Sequence, residues 1–137
     1  MKNLTIIIIA LLFSQVAVYS QKLNCNDFRL GKFELIDAEN NIKYIYERFK
    51  TFQTEETYDL KTGKVIEEKG FYNLTWVNEC EYNLLSDTSK NKADETELYV
   101  NSKGGITSKI TSIQENCATI FIRFENNEYH YKICKID

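Results

Sequence analysis

The chain has 137 residues, with 17 Lys and Arg against 20 Asp and Glu, one His, four Cys and no Pro. A net charge of −3 is a poor electrostatic match for nucleic-acid phosphates or anionic lipid, so neither is expected as a partner. The length suits about one domain, and without proline there is no proline-rich linker to divide it.

The N-terminus sets the compartment. Lys2 precedes a ten-residue apolar run, 4–13, and Val18, Tyr19 and Ser20 then fit a signal-peptidase site. Residues 1–20 are therefore expected to be a secretory signal peptide, cleaved before Gln21. A spanning helix needs about 20 apolar residues, and here Ser14 and Gln15 end the run. Asn24 before Cys25 also argues against a lipoprotein. The expectation is a periplasmic or extracellular protein, 21–137, without a membrane anchor after cleavage. It keeps Cys25, Cys80, Cys117 and Cys134, and an even cysteine count in an exported chain points to disulfides. A zinc site would need ligand pairs such as Cys-x-x-Cys and more than one His, so no metal or cofactor is expected.

In chain order the letters favour strands, being rich in Tyr, Phe, Ile and Thr between recurrent turn residues. Residues 27–36 read as a first strand and 42–58 as a long second one. Ile42, Ile45, Tyr46 and Phe49 also fit helical spacing, which leaves a helix there as the alternative. A hairpin turn at 59–64 carries Gly63, and a return strand follows at 65–77. Asn78 and Glu79 turn it into a strand at 80–85. The polar stretch 86–95 reads as a surface loop, followed by strands at 96–100, 106–114, 118–125 and 128–136, with Asn126 and Asn127 as the last turn. Short links force antiparallel neighbours. The expected fold is all-β, a single antiparallel meander of about eight strands forming a small lipocalin-like barrel or half-barrel.

Four stretches carry a resemblance. They are Cys25, Phe28, Gly31 and Phe33; Arg48 with Gln53, Thr54 and Glu55; Lys61, Thr62 and Gly63; and Trp76 with Cys80, Glu81, Tyr82 and Leu84. Over about 25–85 the chain resembles a family of small secreted flavobacterial proteins without an established activity. Some members carry an automatic DNA topoisomerase IV label, which an exported, acidic chain of this length does not support. Four cysteines allow three pairings. The resemblance favours Cys25 with Cys80, since both lie in matched stretches, leaving Cys117 with Cys134. With Asn126 and Asn127 as a two-residue turn, that second pair would sit diagonally, about 7–8 Å apart, and would need a bulge or a shifted register.

Catalytic constellations are weak. His130 is the single imidazole, and strand alternation sets it with Lys132 and Cys134 on the solvent side, opposite Tyr129, Tyr131 and Ile133. No Gly-x-Ser-x-Gly accompanies it, so no enzyme is expected. Arg48 stands out because, in one continuous strand, it shares a face with Tyr44, Tyr46 and Phe52. An inward charge needs a partner, unless its stem snorkels at a barrel mouth. Trp76 faces Glu81 across a two-residue turn at Asn78 and Glu79, which suits a tight corner closed by Cys80. Tyr44, Tyr46, Arg48 and Trp76 are thus the candidate ligand-binding residues. Two functions remain: a non-enzymatic module binding a small apolar or amphipathic molecule, or a solid-cored cell-envelope interaction or structural protein.

Overall fold

The computed structural model describes residues 24–137; the expected signal peptide lies outside the described residues. A 3-10 helix (Cys25–Phe28) leads into β1 (Gly31–Asp37), β2 (Ile42–Arg48), β3 (Phe52–Asp59), β4 (Gly70–Trp76) and β5 (Glu81–Ser86). A helix, α1 (Glu95–Ser102), precedes β6 (Ile106–Gln114), β7 (Cys117–Phe124) and β8 (Asn127–Lys135). Each strand pairs antiparallel with its sequence neighbour, and β8 returns to β1, so the sheet is a closed eight-stranded barrel. The all-β antiparallel expectation holds.

Period-two alternation decides what points inward. On β7, Ala118 and Ile120 are buried while Arg123 is exposed. Phe33, Leu35, Ile110, Ala118, Ile120 and Ile133 pack with Cys25 and Phe28 into one cluster. The meander also gives the barrel two unlike ends. The floor carries the 3-10 helix and the β2–β3, β4–β5 and β6–β7 turns, whereas the mouth carries the other connections. Burial of Cys25 and Phe28, each 2 % exposed, plugs the floor. Gly31 exits that plug at φ 115°, and a Cβ there would meet Lys135 Cε at 3.1 Å.

Several strand expectations need correction. The span 42–58 is two strands and no helix. Lys50 and Thr51 form a turn in which Phe49 N–H donates to Phe52 O (2.9 Å), with the two rings stacked 4.3 Å apart. That turn changes the parity, so Phe52 falls outside and is 36 % exposed. Residues 65–69 do not pair as a strand. They attach through a Tyr58–Val65 bridge and the Ile66 N–H bond to Thr57 O, and pairing with β3 resumes at Gly70.

Residues 96–100 are helical, not extended. Asp94 and Glu97 form a reciprocal capping box, which satisfies the first free N–H groups and starts a helix. Gly104 and Gly105 follow its end at φ 91° and 87°. A Cβ on Gly105 would lie 2.3 Å from Leu84 O, so only glycine lets the chain return beside β5.

Both cysteine pairs are bonded as expected, Cys25 with Cys80 and Cys117 with Cys134. The diagonal objection to the second pair disappears because the β7–β8 turn is Glu125 and Asn126, one residue earlier than expected. Glu125 adopts φ 53°, and Cys117 then stands directly opposite Cys134, Cα to Cα 4.0 Å. The β4–β5 link is likewise longer than two residues, so Trp76 opposes Tyr82, not Glu81.

Both bridges lie at the floor. Chain-entropy arguments give about 4 kcal/mol for a loop of 55 residues and about 3 kcal/mol for one of 17. Guanidinium titration of C25A/C80A is expected to show the larger loss, with C117A/C134A losing about 1 kcal/mol less. Equal or reversed losses would mean that loop length does not set their weight.

Candidate binding cavity

The closed barrel is not solid. A cavity of about 310 Å³ runs from the floor toward the mouth, at the lower end of the ~300–1,000 Å³ of small-molecule pockets. Its walls are apolar side chains of β5 to β8 and β1, among them Leu84, Ile106, Ile120, Ile122 and Leu35. Tyr46, Tyr72, Tyr82 and Tyr131 add aromatic surface, and Thr96, Glu97, Val100 and Asn101 of α1 close over one side. The helix is pinned there by Ser86. Its N–H donates to Asn101 Oδ1 (2.9 Å), its hydroxyl to Glu97 Oε1 (3.0 Å), and Asn101 Nδ2 donates to its carbonyl (2.8 Å).

Arg48 forms the deep end. At the last residue of β2 it is 4 % exposed. Nε donates to Gln53 Oε1 (2.8 Å), Nη1 to Phe28 O (2.9 Å) and Nη2 to the Tyr82 hydroxyl. Its guanidinium carbon lies 5.1 Å from the Phe33 ring centroid and 4.4 Å from that of Tyr82. The expected partner is therefore polar and aromatic. No carboxylate ion-pairs with Arg48 among the described residues, and its stem does not snorkel.

Glu55 is the other charged wall residue with a distinctive setting. It sits between Tyr46 on β2 and Gly70 on β4. The Tyr72 ring is folded over Gly70, with Cε2 2.9 Å from where a Cβ would be. The carboxylate makes no hydrogen bond or ion pair with any described residue. Burial, then the charges of Glu67 and Glu97, push its pKa up to about 7. Burial and then Glu55 raise the Tyr46 hydroxyl well above its ordinary range, and Tyr72 moves the same way for the same reasons. Ser108, 1 % exposed, also faces the cavity, and its hydroxyl has no hydrogen-bond partner among the described residues.

Of the four candidate residues, the structure places Tyr46 and Arg48 in the cavity wall. Tyr44 packs on Tyr46, 6.2 Å between ring centroids, but lines a separate groove with His130 and Lys132 near the β1–β2 turn. Trp76 is outside the cavity, held between the Arg29 guanidinium at 4.4 Å and the Tyr82 ring at 4.9 Å. It belongs to the stapled floor corner. His130 is exposed, against Phe121 on the outer face. Sequence reasoning missed Glu55, Tyr72, Ser108 and the helical lid. The signal for Glu55 was parity: with a turn at Lys50 and Thr51, Gln53, Glu55 and Thr57 follow Arg48 onto the inner face.

No protein-family model, curated protein or solved structure matches the chain.

Two variants test this chemistry. Arg48→Met keeps the stem but strands Gln53 Oε1, Phe28 O and the Tyr82 hydroxyl, and at about 1–3 kcal/mol for each buried polar group left unsatisfied it is expected to cost about 3–5 kcal/mol. Arg48→Lys is expected to recover only part of it, because one ammonium cannot replace three directed donors. Full stability of Arg48→Met in urea would remove the guanidinium from the folding account. Glu55 binds its proton more tightly in the folded chain than in the unfolded chain. Its contribution to stability is therefore neutral at low pH and falls as pH rises from about 4.5 to about 7. Glu55→Gln is expected to raise the melting temperature at pH 8 and leave it nearly unchanged at pH 4. A shift of equal size at both values would contradict burial of the charge.

Proposed function

We propose that the chain is exported and acts as a non-enzymatic, lipocalin-like carrier or receptor for a small apolar or amphipathic molecule held inside the barrel. The cavity of about 310 Å³ carries this reading, since eight-stranded barrels either fill themselves with side chains or hold one small ligand. Support comes also from the walls, which offer apolar surface with a few placed polar groups, the usual make-up of a ligand site. The two disulfides agree with an oxidising compartment, as does the resemblance to small secreted flavobacterial proteins. Among the described residues no helix is long and apolar enough to cross a membrane. The solid-cored envelope interaction protein is the weaker reading, because its premise is a filled interior.

Native mass spectrometry of protein purified from its own envelope, without reductant, tests the proposal. The wild type is expected to carry a small additional mass that Leu84→Trp lacks, the indole filling the wall at that point. A bare wild-type chain that also takes up no added octanol would transfer the argument to the interaction protein.

A further inference from the structure

Two charged side chains of the strands reach the cavity, and only one is free to meet a ligand. Arg48 is tied to Gln53, Phe28 and Tyr82, so it is poorly placed to hold an anion. Glu97 of α1 accepts from Ser86 and from the backbone of Asp94. Glu55 keeps both oxygens unengaged by any described residue, with Tyr46 opposite it and the Tyr72 ring laid over the neighbouring Gly70. A second observation points to a ligand independently. The Ser108 hydroxyl, lining the same cavity from β6 and 1 % exposed, has no partner among the described residues, and a buried hydroxyl left unpaired is costly.

We propose that the cavity takes a small organic cation, an amine with an apolar body, whose ammonium sits against Glu55 between Tyr46 and Tyr72 while a second polar atom reaches Ser108. This rests on the binding reading above and narrows it to a ligand class. Ring faces attract ammonium groups, more strongly where water is excluded, and an opposite charge is what an unpaired, half-buried carboxylate requires. A metal ion does not suit the site: among the described residues no three His, Cys, Asp or Glu side chains converge to hold one. An anionic amphiphile would meet Glu55, with Glu67 and Glu97 adding to the same field.

Octylamine, octanol and octanoate share one chain length and differ in head-group charge. Calorimetric titration of the oxidised protein at pH 8 is expected to rank octylamine at least tenfold tighter than octanoate, with octanol between them. Glu55→Gln, which removes the charge and keeps the shape, is expected to bring octylamine down to the level of octanol. Octanoate binding as tightly as octylamine, or an unchanged ranking in Glu55→Gln, would overturn the cation assignment and leave the binding reading standing. No uptake of any of the three would overturn both.

Discussion

The barrel depends on one buried guanidinium. Arg48 sits where β2 ends, and its hydrogen bonds reach the N-terminal plug through Phe28, β3 through Gln53 and β5 through Tyr82. These elements are far apart in sequence, and apart from the Cys25–Cys80 bridge between the plug and the start of β5, they meet through this one side chain. A point charge would satisfy one of them. The planar fork of arginine has five N–H donors in fixed directions and two faces that stack on rings, so it joins all three while lying against Phe33 and Tyr82. Burying the charge is expensive, and the energy is recovered only in this assembled geometry. The interaction therefore favours the plugged floor over other ways of closing the sheet.

From that constraint follows the difference between the two ends. The floor has the plug, both disulfides and the Arg29–Trp76 contact. The mouth has the 60–69 loop, largely exposed and held to β3 by few bonds, and α1, which has no fully buried residue. Local opening needs few lost contacts in such segments, so on the binding reading proposed above the mouth is the entrance and Arg48 the inner end of the cavity. The lid is held by polar bonds to Ser86 and by Tyr99, whose ring meets Phe124 edge-on and whose hydroxyl donates to Glu125 Oε1.

Much of the fold was legible because β-alternation is local. The alternation over 106–114 marks that strand at its observed limits, and short links imply the antiparallel meander, whereas its closure into a barrel rests on the β8–β1 pairing. Errors arose where one residue changes parity. Lys50 and Thr51 carry no glycine, proline or asparagine, so the turn between β2 and β3 leaves no mark, and unbroken alternation puts Phe52 inside and gives no sign that Glu55 faces inward. Glu125 at positive φ is equally silent, since glutamate is not a usual turn residue, and it alone moved Cys117 opposite Cys134. The helix was the reverse case. Asp94, Glu97 and the two glycines after it are ordinary helix punctuation, but the β-prone Tyr99 and Val100 outweighed them. Arg48 was recognisable as an inward charge, whereas its partners were not, because a carbonyl, an amide and a phenol from three elements leave no common pattern.

The interior also sets a cost that links these features. A dry cavity costs about 24 cal/mol per Å³, which for 310 Å³ gives an upper limit of about 7 kcal/mol. Access from the mouth lowers this, since water can wet the polar wall near Glu55. Against it stand the two disulfides, together about 7 kcal/mol by their loop lengths. For a domain whose net stability is of order 5–15 kcal/mol, neither term is small. Larger side chains at Leu84 or Ser108 would reduce the volume, and a hydrogen-bonding neighbour would quiet Glu55, each with a single substitution. A chain that retains the volume, the unpaired hydroxyl and the unpaired carboxylate together, and offsets them with covalent staples at the opposite end, has the organisation that the proposed interior occupant requires.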